Sequence, residues 1–142
     1  MQKEIIIVII IVIAIISADI LTQRYTKNGF ENINNQLDEI KIIGKELEKL
    51  KESQNDILKS QEKKKQLEEK IEEMQNDWKK INKTTAFYIE HDELEKVNAS
   101  MTKFKSYFEL EEYTEAIPEL EDCKYILNHI KEKESMQFIN LF

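Results

Sequence analysis

Residues 30–50 read FENINNQLDEIKIIGKELEKL. Apolar side chains fall at Phe30, Ile33, Leu37, Ile40, Ile43, Leu47 and Leu50, in steps of three and four. On a helix of about 3.6 residues per turn this spacing makes one continuous apolar stripe, so the stretch predicts an amphipathic helix of about 22 residues. Gly44 lies inside it but off the stripe, at a cost of about 1 kcal/mol against alanine. Beyond Glu52 the pattern thins. Ile57 and Leu58 stand alone, Gln54, Gln61 and Lys64 take the seam positions, and Lys63 to Lys65 form a basic run. Ser53 to Asp56 is a candidate turn; without it the helix continues as a solvated stalk or as a coiled-coil strand with a polar seam. Residues 28–65 are therefore read as a helical stalk.

Toward the amino end, Thr22 to Gly29 is polar and closes on Asn28-Gly29, a turn signal, so a short juncture is expected there. It is preceded by IIIVIIIVIAIISADIL, Ile5 to Leu21. Seventeen residues rise roughly 25 Å as a helix, the short end of what spans a bilayer. In hydrocarbon a lone segment satisfies its backbone hydrogen bonds only as a helix. Residues 5–21 thus read as a transmembrane anchor with the lipid bilayer as partner, and residues 1–4 as its amino-terminal tail. Flanking charge is nearly balanced, with Lys3 and the terminal amine offset by Glu4, and Arg24 and Lys27 on the other side. The preferred topology keeps the short tail in the cytoplasm and exports the body, a single-pass protein of the cell membrane with an extracytoplasmic carboxyl-terminal domain. The rival is a signal peptide cut after Ile16-Ser17-Ala18, against which stand a long apolar run and a weakly charged start. Asp19 sits near the outer end, within reach of headgroups.

Toward the carboxyl end the stripe resumes at Leu67, Ile71, Met74, Trp78, Ile81, Thr85 and Tyr88, with Trp78 as core anchor. Asp92 and Glu95 have capping-box spacing, so a new helix is expected to start at Asp92, with its stripe at Leu94, Val97, Met101, Phe104 and Phe108. After a turn near Glu109 and Leu110 comes Tyr113, Ala116, Leu120, Cys123, Leu127 and Ile130, completing an αα-hairpin. Pro118 predicts a helix start near Thr114 or a kink in its first two turns. Met136, Phe138, Ile139, Leu141 and Phe142 make an apolar tail that should dock. The expected fold is all-α: membrane helix, stalk, and an antiparallel three-helix bundle over residues 66–142.

Two glycines and one proline in 142 residues leave little turn chemistry and favour long helices. Net charge is −7, unevenly spread: residues 22–83 carry 14 basic and 13 acidic side chains, residues 84–142 carry 6 and 13. The distal part repels phosphate and no basic stripe is interleaved with aromatics, which argues against nucleic acid as a partner. The single cysteine, Cys123, excludes an internal disulfide and lies on an apolar helix face as a small hydrophobe.

With glycines only at 29 and 44 there is no phosphate-cradling loop, and no nucleophile–base signature has supporting structure, so no enzyme is expected. The best metal candidates are His91 and Glu93, beside Glu90, joined by His129 and Glu132. The Glu-x-x-His pairs of di-iron bundles are absent, so the expectation is that each histidine closes a helix end and that no metal or cofactor is held. Glu109 to Asp122 holds seven carboxylates and no basic residue. It lacks a calcium-loop pattern; a solvated face is the plain reading, and Glu111, Glu112, Glu115 and Glu119 are the candidate surface for a cationic partner.

The run Asp77-Trp78 through Phe87-Tyr88-Ile89-Glu90-His91-Asp92-Glu93-Leu94, then Tyr113, Glu115-Ala116, Glu119-Leu120, Leu127 to Glu134 and Asn140-Leu141-Phe142, resembles the uncharacterised bacterial domain-of-unknown-function family 4363, found in clostridia and bacilli. The resemblance covers most of the chain and implies a small single-pass membrane protein with an all-helical domain. The chain departs from the family pattern in the Lys-rich stretch near 52–66 and at Lys131, where proline is commoner. No activity, cofactor or ligand is implied. The expected function is a membrane-anchored protein-interaction or structural module of the bacterial envelope, with an unidentified protein partner and a homo-oligomer left open. The alternatives are a ligand-sensing or metal-binding helical domain, and a division-type coiled-coil membrane protein built on residues 30–90.

Overall fold

The computed structural model describes residues 2–53, 57–87 and 89–139, all helical apart from short turns and without strands among them. Four helices follow in order: α1 (Gln2–Ser53), α2 (Ile57–Thr85), α3 (His91–Glu109) and α4 (Tyr113–Ile139). The chain is all-α, as composition required.

α1 has 52 residues and so runs roughly 78 Å. Its two parts live in different surroundings. Residues 5–21 are apolar and exposed throughout, a helix segment long and apolar enough to cross a membrane. From Phe30 onward the stripe turns inward: Phe30, Ile33, Leu37, Ile40, Ile43 and Leu47 are all buried. They share one core with Leu67, Ile71, Met74, Trp78 and Ile81 of α2, Leu94, Val97, Met101, Phe104 and Phe108 of α3, and Tyr113, Ala116, Leu120, Cys123, Leu127 and Ile130 of α4.

This corrects the expected stalk and three-helix head. Residues 30–47 form one wall of a four-helix bundle because their stripe matches those of the other three helices and closes the core between them. The same burial rules out the continuous coiled-coil strand over residues 30–90. α2 turns back along α1, so the stripe that a dimer seam would need is used inside the chain. The candidate turn at Ser53 to Asp56 falls mainly on residues 54–56, outside the described residues.

Cross-helix pairs fix the directions. Lys63 pairs with Glu46, Lys70 with Glu39 at 2.9 Å, and Gln36 Nε2 donates to Asp77 Oδ2 at 2.9 Å, so α2 is antiparallel to α1. Along α4, Lys124 pairs with Asp38, Lys131 with Glu31 at 2.6 Å, and Thr114 Oγ1 donates to Glu48 Oε1 at 2.8 Å; α4 is also antiparallel to α1. Trp78 Nε1 donates to Asn98 Oδ1 at 2.7 Å and Ser100 Oγ to the Glu119 carbonyl at 2.9 Å, which closes the ring through α3. The path is up, down, up, down. The α2–α3 turn and the end of α4 lie beside residues 22–31, here the near end; the α1–α2 and α3–α4 connections form the far end.

The expected juncture at residues 22–29 is absent, for α1 is unbroken through Asn28-Gly29. Gly29 serves close packing: a Cβ there would come within 2.9 Å of the Ile81 side chain. Gly44 does the same against Phe108, whose Cε1 lies 2.7 Å from the position of such a Cβ. Two boundaries also differ. α3 starts one residue before Asp92, and its N-cap is Glu90 with no side-chain cap bond, so the Asp92 capping box is not formed. α4 starts at Tyr113 and carries Pro118 in its second turn. Tyr88 and residues 140–142 fall outside the described residues, as do the side chains of residues 136–139, and with them the docking of the tail.

Trp78 is the anchor its spacing suggested, with its ring 6.0 Å from that of Phe30 at 36°. Cys123 is buried and free. Burial pushes its thiol up to about 12, so it is an inert core residue.

Candidate functional site

The far end gathers polar groups from all four helices at the α3–α4 turn. α3 ends in a Schellman motif: the Glu111 amide donates to the Phe108 carbonyl at 3.0 Å and the Glu112 amide to the Tyr107 carbonyl at 2.9 Å. Glu111 therefore takes a left-handed conformation, φ 59°, at a position where glycine is usual. A side chain costs about 1 kcal/mol there. What it supplies is a two-way tie. Lys51 Nζ donates to its carbonyl at 3.0 Å and Lys64 Nζ to its Oε1 at 2.6 Å, joining α1 and α2 to the turn. The Lys64 ammonium holds the Glu111 carboxyl below its ordinary range. Lys51 Nζ also lies 5.9 Å from the centre of the Tyr113 ring, and burial raises the Tyr113 hydroxyl to about 12.

Beside this tie, α2 and α3 stand apart over a groove of about 480 Å³ lined by Leu67, Ile71, Phe108 and Tyr113, with Lys64 and Lys105 among its polar residues. The Lys105 ammonium donates to Gln75 Oε1 at 3.2 Å. The apolar lining was legible as stripe positions; the tie was not, since a left-handed glutamate has no sequence signature.

Replacing Glu111 by glycine removes the left-handed cost of about 1 kcal/mol and the half-exposed Lys64 pair, worth about 0–1 kcal/mol, so little net change in melting temperature is expected. Glu111→Val, which loses the pair and keeps a branched side chain in the left-handed region, should lower stability by about 1–2 kcal/mol. Thermal melts of the two variants decide whether the strain is present.

The acidic stretch is largely tied into the bundle. Glu111 pairs with Lys64, Glu119 with Lys103 at 3.5 Å, Glu121 with Lys41 and Glu109 with Lys105 at 3.7 Å. Of the four candidate partner residues, Glu112 and Glu115 are exposed while Glu111 and Glu119 face lysines.

The metal candidates are spread over the near end. His91 is exposed and its Nε2 lies 3.0 Å from Glu95 Oε1, one turn along the same helix. His129 stacks on Tyr125, ring centres 6.4 Å apart at 14°. Glu93 is turned instead to Lys133, whose Nζ donates to Glu93 Oε1 at 2.9 Å and lies 3.1 Å from Glu90 Oε1. Glu132 lies on α4 one residue before this lysine. Among the described residues no three histidine, cysteine or carboxylate side chains form a group that could hold a metal.

Next to this lysine, burial and then the Glu93 charge raise the Glu134 carboxyl above its ordinary range, while Glu93 Oε2 is buried without a hydrogen-bond partner. A carboxyl raised in the folded state is disfavoured as an anion there relative to the unfolded chain, so ionised Glu134 lowers stability at neutral pH. Glu134→Gln is expected to raise the melting temperature at pH 7. The gain should shrink as pH falls into the carboxylate range and wild-type Glu134 takes up its own proton; a gain independent of pH would assign the effect to packing.

A protein-family model described as a domain of unknown function (DUF4363) matches residues 20–141. No curated protein and no solved structure matches the chain.

Proposed function

The chain belongs to the family of the domain of unknown function DUF4363, as its carboxyl-half motifs implied, and from that premise we propose that it is a single-pass membrane protein whose helical bundle works as an interaction or structural module of the bacterial envelope. One observation carries the reading. A single unbroken helix holds residues 5–21 bare of any protein covering and then buries residues 30–47 in the bundle core. Seventeen largely aliphatic residues left in water would be a severe aggregation hazard, whereas a bilayer covers them at a gain of roughly 1.5 kcal/mol or more per large side chain. The module acts by binding rather than by catalysis, and the bundle faces away from the cytoplasm.

A second reading, a domain that senses a small ligand, is favoured by the groove between α2 and α3, where Lys64 and Lys105 accompany an apolar lining.

Membrane fractionation tests the first reading. The mature protein is expected to keep residues 1–21 and to stay with membranes through high-salt and alkaline washes. Release by either wash, or a mature amino terminus at Asp19, would overturn it. Crosslinking in intact cells, followed by identification of the attached protein, then reads the partner.

A further inference from the structure

The helix pairings place the near end of the bundle against the apolar segment. Gly29 of α1 packs against Ile81 of α2; four residues further along each helix, Thr85 comes level with Tyr25. Glu31 pairs with Lys131 of α4; eight residues further, Ile139 comes level with Gln23. Since both helices rise by about 1.5 Å per residue, α4 ends roughly 3 Å and α2 roughly 6 Å beyond the level of Leu21. The headgroup layer of one leaflet is about 5–8 Å thick. A bundle carried by this helix has no room to stand clear of the surface.

We infer that the bundle is seated on the bilayer, with the α2–α3 turn and Phe87 in the headgroup layer. The inference rests on the anchoring reading above and deepens it by naming the surface that the bundle itself presents to lipid.

The side chains at this end suit that position. Phe87, in the turn, is 90% exposed, the most exposed large apolar side chain among the described residues. Tyr25 is half-exposed at the level of Thr85. Aromatic rings concentrate at the headgroup level because they have apolar bodies and tolerate a wet edge. Arg24, Lys27 and Lys83 are exposed at the same end, where long cationic side chains reach toward lipid phosphates. Four of the carboxylates nearby are turned to lysines: Glu31 to Lys131, Asp77 to Lys80 at 2.8 Å, and Glu90 and Glu93 to Lys133. Lys133 is level with Gly29, about 12 Å beyond Leu21, so the acidic start of α3 lies outside the headgroup layer.

The test uses the full chain in vesicles of phosphatidylethanolamine and phosphatidylglycerol, with a polarity-sensitive fluorophore on Phe87→Cys or, at the far end, on Leu110→Cys. Both native side chains are exposed, and the buried thiol of Cys123 stays unlabelled in the folded protein. The expected result is flotation with the vesicles, with the label at 87 blue-shifted and quenched several-fold more than that at 110 by lipids carrying a quencher near the glycerol backbone. Seven residues inserted after Leu21, two helical turns, should abolish the difference while flotation persists. Flotation with equal quenching at 87 and 110, or quenching at 87 that survives the insertion, overturns the seating and leaves the anchor in place. Failure to float overturns both.

Discussion

A fragment of residues 66–142 is expected not to fold, whereas a fragment of residues 22–142 should melt cooperatively. The short fragment holds three helical stripes but lacks the fourth wall, Phe30, Ile33, Leu37, Ile40, Ile43 and Leu47, all at most 6% exposed. At roughly 1.5–3 kcal/mol for each buried side chain, the loss is on the order of 10 kcal/mol. That equals much or all of the roughly 5–15 kcal/mol by which a domain of this size is stable. Circular dichroism and amide-proton dispersion of the two fragments give the answer. A cooperative melt from the short one at the temperature of the long one would restore the picture of a separate head on a stalk.

Trp78→Ala is expected to be the most damaging single truncation in the bundle. The indole is 5% exposed, packs on Phe30 of α1, and donates to Asn98 of α3, so one side chain joins three helices. Removing a buried aromatic of this size costs about 3–5 kcal/mol. For a domain of this length that corresponds to a fall in melting temperature of roughly 10–20 °C. Trp78→Phe keeps most of the volume and the ring contact and loses the hydrogen bond to the exposed Asn98, a cost of about 1–2 kcal/mol. If the two variants melt alike, the Asn98 bond rather than ring packing holds the site.

Periodicity alone located almost the whole core. The stripes from Phe30 to Leu47, Leu67 to Thr85, Leu94 to Phe108 and Tyr113 to Ile130 are the buried residues of the four helices, because only that spacing keeps apolar groups on one side of a helix. What periodicity does not carry is the identity of the facing partner. A stripe that is to pack on three neighbours within its own chain looks the same as one that is to pair with a second chain, and for that reason residues 28–65 read as a stalk from the sequence alone. Gly29 shows a related ambiguity. After asparagine it signals a turn, yet the same missing side chain lets Ile81 approach an unbroken helix.

The interhelical ion pairs were out of reach for a different reason. Lys124 and Asp38 are 86 positions apart and Lys131 and Glu31 are 100 apart, and nothing local distinguishes them from any other lysine and carboxylate on a solvated face. The left-handed Glu111 is a third kind of case. Its conformation is imposed by the way α3 closes and by lysines from two other helices. Buried Gln36 and Ser100 belong with it, since the amide of one and the hydroxyl of the other donate to groups on neighbouring helices, Asp77 and the Glu119 carbonyl.

The unbroken course of α1 also makes it a rigid shaft. No flexible joint separates Leu21 from Phe30, so the azimuth of residues 5–21 about the helix axis is geared to the four-helix core. One residue added between the two parts would turn the apolar segment by about 100° and shift it by about 1.5 Å relative to the bundle. Torque or axial load applied to either part passes to the other without slack.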